Sequence, residues 1–153
     1  MNVTISKSDP ALTGAELDRF EQSHRQQIPG VYRKFLLEHN GGQPDPCEFR
    51  MRSGSTDSEE AGAVKRFFGI NATERTLDLA YALETFKDRI PAFLFPIARD
   101  PGGNLIGIAT EGPDQGHVLF WDHEREADEG QPPSLKNLYL IANSFEEFLS
   151  GLT

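Results

Sequence analysis

The densest chemistry in this sequence is a run of carboxylates. Glu111, Asp114, Asp122, Glu124, Glu126, Asp128 and Glu129 fall between positions 111 and 130, where Arg125 is the one Lys or Arg. Seven acids against one base place −6 of the formal net charge of −9 in those twenty residues. Carboxylates concentrated in this way repel a phosphate backbone, so direct contact with nucleic acid is not expected. They attract cations, and a protein partner with a basic surface fits them. The seven are therefore the candidate partner-binding residues. The plainer alternative is a solvated loop whose charges contact nothing.

Other reactive side chains form no constellation. His24, His39, His117 and His123 are scattered, with no HExxH pair and no cysteine ligand nearby. Asp122-His123-Glu124 is a dense polar triplet. Read as the continuation of a strand, however, it would point neighbouring side chains to opposite faces and away from a shared metal. The turn at Asp100–Asn104 lacks the third-position oxygen ligand of a calcium loop. Cys47 is the only cysteine, which excludes an intramolecular disulfide and a Cys-rich zinc site, and no base accompanies it in the sequence. Its position suits a small buried residue at the start of a strand. No GxSxG surrounds Ser53, Ser55 or Ser58. Gly41-Gly42 and Gly102-Gly103 match neither a dinucleotide loop nor a phosphate loop and sit where regular elements end. The expectation is a chain with no catalytic residues, no metal and no cofactor.

The elements that position these residues are set by apolar spacing. With 153 residues and 11 Phe, 3 Tyr and 1 Trp, the chain can bury one core without a staple, so a single domain over 1–153 is expected. No apolar stretch approaches the roughly 20 residues of a membrane helix, and the first residues lack a secretory signal, so a cytoplasmic location is expected. Thr13-Gly-Ala-Glu16 has the form of a capping box and predicts a first helix with Leu17, Phe20 and His24 on its apolar side. Pro29 opens a second helix, whose stripe is Val31, Phe35 and Leu36 with Tyr32 and His39 beside it. Asn40-Gly41-Gly42 closes that helix.

Residues 47–52 alternate as a half-buried strand does, and 64–70 are expected to pair with them. Between the two, 53–63 contain only Ser, Gly, Thr, Asp, Glu and Ala, which predicts a mobile loop. A third helix is expected at 77–88 with Leu79, Leu83, Phe86 and Ile90 facing inward. Three apolar runs follow, at 93–98, 105–109 and 117–121. The third carries Val118, Leu119, Phe120 and Trp121 in succession, so it should be central and covered on both faces, with Trp121 in the core. A short apolar piece at 138–141 and a second capping box, Ser144 with Glu147, lead into a last helix carrying Phe145, Phe148 and Leu149. Helices at both chain ends around a meander of short strands make an α+β domain with a central, largely antiparallel sheet.

In this order the segments resemble a known family. Ile28-Pro-Gly-Val-Tyr-Arg-Lys-Phe-Leu-Leu-Glu-His-Asn-Gly-Gly42 is similar to the helix signature of the Smi/Knr-like branch of the SUKH superfamily. Phe95-Pro-Ile-Ala-Arg-Asp-Pro-Gly-Gly-Asn104 and Gly116-His-Val-Leu-Phe-Trp-Asp-His123 follow at the family's positions, so the resemblance covers residues 14–152. It implies a small α+β fold without shared catalytic residues. It further implies an immunity protein that binds and neutralises a polymorphic or contact-dependent toxin, many of which are nucleases. A regulatory or scaffold protein, as in the family's cell-wall assembly branch, is the alternative.

Overall fold

A computed structural model describes residues 3–52 and 59–153. Strand β1 (Thr4–Ser6) pairs antiparallel with β2 (Gln43–Asp45) in a small two-stranded ladder. Between them lie helices α1 (Gly14–His24) and α2 (Gly30–His39). The main sheet takes β3 (Glu48–Arg52), β4 (Glu59–Ala63), β5 (Arg66–Phe67), β6 (Leu94–Arg99), β7 (Leu105–Ala109), β8 (Val118–Trp121) and β9 (Leu138–Ala142). Helix α3 (Leu79–Thr85) precedes β6, and α4 (Phe145–Ser150) follows β9. The order across the sheet is β4-β3-β9-β8-β7-β6-β5, and every paired neighbour is antiparallel. This is the α+β architecture expected from the sequence, with helices near both ends of the chain.

β8 occupies the middle of the seven described strands and all four of its residues are buried. Phe120 and Trp121 are adjacent on it, so they face opposite layers. On the Phe120 side, aromatic rings from the sheet and from α2 and α4 interlock. Phe49 lies 6.1 Å from Phe120 and 5.9 Å from Phe148, and Phe35 lies 4.7 Å from Phe67 and 5.5 Å from Phe145. On the other side Trp121, fully buried, meets the edge of Phe86 at 5.6 Å just after α3. Edge-to-face contacts of this kind suit the aromatic quadrupole.

Local signals explain the helix ends. The Thr13 hydroxyl accepts from the Glu16 N–H and the Glu16 carboxylate accepts from the Thr13 N–H, each at 3.2 Å, completing the capping box. At α4 the Ser144 hydroxyl accepts from the Glu147 N–H as expected, but the Glu147 carboxylate reaches one residue further back, to the Asn143 N–H. Asn40 ends α2 at φ +39° and does more than cap it. Its side-chain amide donates to the carbonyls of Pro10 at 2.7 Å and Ile70 at 3.0 Å, and its oxygen accepts from the Ile70 N–H at 2.8 Å. The next two residues lie too close to neighbouring backbone for any side chain. A Cβ on Gly41 would sit 2.9 Å from the Phe67 carbonyl oxygen, and one on Gly42 would sit 2.7 Å from that of Ser6.

Several expectations are corrected. Residues 53–58 lie outside the described residues, but 59–63 are not loop: they form β4, paired along its length with β3. The strand at 64–70 shrinks to β5, which pairs with β6 instead of with β3. An edge strand has one free side and needs no apolar residues of its own, and here Gly62 makes room for the Phe49 ring. The third helix ends at Thr85, three residues early, and Asp78 caps its start by accepting from the Ala80 N–H. Val31 is 54% exposed, while Tyr32, fully buried, takes its place in the core. Cys47 is only half-buried, beside β3.

Candidate functional site

The seven candidate carboxylates divide around β8. Glu111 and Asp114 belong to the turn that enters the strand, and both are exposed. The other five lie in the segment that leaves it. There the strand ladder stops at Trp121; Asp122 is still extended, but His123 and Glu124 do not continue the strand as the sequence suggested. His123–Arg125 is a single 3₁₀ turn, and the Asp122 side chain caps it by accepting from the Glu124 N–H at 3.0 Å. His123 is turned toward the neighbouring β6–β7 turn: its Nε2 lies 3.0 Å from the Gly102 carbonyl and its N–H donates to the Asn104 side chain at 2.9 Å. Asp122 and His123 are thereby spent on local structure, while the Glu124 carboxylate stays exposed to solvent. Among the described residues no group of three or more His, Cys, Asp and Glu side chains is placed to hold a metal ion.

Glu126 is engaged. Its carboxylate accepts from Arg89 Nε at 3.1 Å and Nη2 at 2.8 Å, a bidentate pair. The hydrogen bonds to Glu126 push the Arg89 pKa further up, so the guanidinium stays charged. The same guanidinium lies 4.7 Å above the Phe86 ring and 5.8 Å from that of Trp121. Arg89 therefore fastens the acidic segment to the layer under which Trp121 is buried. Sequence reasoning missed it, because a lone base thirty-seven residues away carries no signal of its own.

The remaining acids are less committed. Asp114 lies 3.7 Å from His117, and Asp122 lies 3.9 Å from the half-free Arg125. Glu111, Glu124, Asp128 and Glu129 are exposed and make no ion pair among the described residues. Of the seven, then, these four present bare carboxylates to solvent, while Asp122 and Glu126 shape the segment that carries three of them. Leu135, 64% exposed, stands further along the same segment. A surface of uncompensated carboxylates can attract and orient a cationic partner.

Among the described residues no helix is long and apolar enough to cross a membrane. Comparison with known proteins agrees with the fold. The chain is 30% identical over 155 aligned positions to YokK, an uncharacterized protein derived from the SPbeta prophage of Bacillus subtilis strain 168, covering 92% of this chain and 74% of that protein. The profile of the SMI1 / KNR4 family (SUKH-1) matches residues 11–151, from just before the first capping box to the end of α4. The chain belongs to the SMI1 / KNR4 family (SUKH-1).

Proposed function

We infer that this chain is a non-catalytic protein-binding module of the immunity type, which neutralises a toxin by covering its basic working surface. The observation that carries this reading is the set of bare carboxylates at Glu111, Glu124, Asp128 and Glu129, the last three on a segment held in place by Arg89 and Asp122. An enzyme that cleaves nucleic acid must present cations to phosphates. A protein offering fixed carboxylates competes for those cations and reaches them at an electrostatically enhanced rate. Preorganisation matters here, because a segment already fastened by Glu126 loses less freedom on binding than a free loop.

The test is co-expression of the chain with any toxic gene found beside its own, reading growth and integrity of the host's nucleic acid. Growth restored by the natural chain, and lost with Glu124→Gln, Asp128→Asn and Glu129→Gln combined, supports the reading. Restoration that is indifferent to those three substitutions removes the acidic surface from it. The absence of any toxic neighbour, with an endogenous protein captured instead, would favour the regulatory branch of the family.

A further inference from the structure

We propose that the groove between the α1–α2 connection, α3 and the β7–β8 turn receives an extended segment of the protein partner, one that sets a bulky apolar residue beside a lysine or arginine. The proposal rests on the protein-binding reading above and adds a place and a chemistry to it. The groove encloses about 1180 Å³. Half open to solvent and of that size, it has room for a stretch of polypeptide.

Its surfaces match the parts of such a stretch in turn. Ile28, Ile90 and Ile108 are buried beneath it as an apolar floor, and the half-buried Leu83 and Phe86 and the exposed Val31 offer apolar atoms to an occupant. Gln26, Gln27 and Gln115 line it with side-chain amides, each able both to donate and to accept, as peptide groups require. Its charged lining is Glu84 and Asp88 against Lys87, and one wall is the turn that carries Glu111 and Asp114. The electrostatic balance therefore favours a cation beside the apolar anchor.

Gly30 is an independent sign of close approach. It is the first residue of α2 and lines the groove. Its φ lies outside the left-handed region, and a Cβ there would meet nothing within 4 Å. Neither backbone conformation nor packing asks for glycine, and glycine is among the poorest helix formers. What it leaves is bare backbone at a helix start, where N–H groups lack partners inside the helix and can donate to a visiting carbonyl.

Selection of a random peptide phage library on the full chain tests this. Enriched peptides should pair Lys or Arg with a bulky apolar residue, and a synthetic copy should shift the amide resonances of Ile28, Val31 and Gln115. Gly30→Leu should weaken that peptide about tenfold or more, the scale of a lost interface anchor, while the melting temperature holds or rises. Glu84→Gln with Asp88→Asn should weaken it at low salt and much less at high salt. Library selection without enrichment, enriched peptides lacking a cation, or equal binding to Gly30→Leu would overturn the proposal. If Gly30→Leu still neutralises the toxin, the groove is wrong and the immunity reading stands. Should the peptides bind as described with no toxin neutralised, it is the immunity reading that fails.

Discussion

Arg89 and Glu126 join the acidic segment to the core: two hydrogen bonds of 3.1 and 2.8 Å run between them, and the guanidinium that makes them lies over the Phe86 ring, 4.7 Å from its centre. The pair stands partly in solvent, with Arg89 40% and Glu126 26% exposed, so its direct worth to stability is about 1 kcal/mol or less. Its effect on order is larger. Arg89→Met should cost no more than that amount, yet amide exchange across residues 124–131 should quicken markedly. Unchanged exchange there would show that the segment is held by something else.

Asn40 supplies the sharpest test of the fold. Asp can take the same positive φ and keeps the oxygen that accepts from Ile70, but it loses the N–H₂ group that donates to Pro10 and Ile70. Asn40→Asp would place a carboxylate against two carbonyl oxygens in a site that is 1% exposed. A loss of about 3 kcal/mol or more is expected in denaturant unfolding, because one side of the network becomes repulsive and unsatisfied. A loss below about 1 kcal/mol would mean that the junction relaxes freely.

Trp121 fills the layer beneath α3 and is fully buried. Trp121→Ala should cost about 3–5 kcal/mol, as large aromatic deletions do. Thermal unfolding monitored by circular dichroism reads this directly, and a cost below about 1 kcal/mol would contradict the packing described.

Tyr32 couples the core to pH. Its hydroxyl lies against the carbonyl oxygens of Phe68 and Ile97, and burial holds its pKa well above the ordinary phenol range. The unfolded chain loses that proton near pH 10. Above that value the unfolded state binds fewer protons than the folded state, so stability falls as pH rises. The contribution is fully present below about pH 10 and is lost as pH climbs through the raised folded value. Tyr32→Phe should cost about 1 kcal/mol near neutrality and should flatten the alkaline loss. Identical alkaline slopes for the two proteins would contradict this.

What the sequence disclosed and what it hid follow from the range of each interaction. Four successive apolar residues at Val118–Trp121 announce a strand covered on both faces, because burial on two sides leaves a composition signature. The Thr13–Glu16 box is equally legible, since all its partners lie within one turn. β4 was hidden because Glu59, Glu60, Ala61 and Gly62 make up an edge whose pairing is directed by Phe49 and Met51 of β3. Composition alone reads such a stretch as loop. The count of seven acids was visible, but their division was not: Glu126 is committed through Arg89, and Asp122 through the turn it caps. The groove is assembled from four separate segments, so no local pattern records it.

Kinetics with the purified toxin partner bears most directly on the central claim, that bare carboxylates recruit a cationic protein surface. Association rates should be measured for the natural chain and for the combined Glu124→Gln, Asp128→Asn, Glu129→Gln variant, which spares Glu126 and its structural bond. At low salt the variant should associate about tenfold more slowly, with the two rates converging as salt screens the field and with stability unchanged. Equal rates at low and high salt would contradict the account, and would return these residues to the status of solvated loop charges.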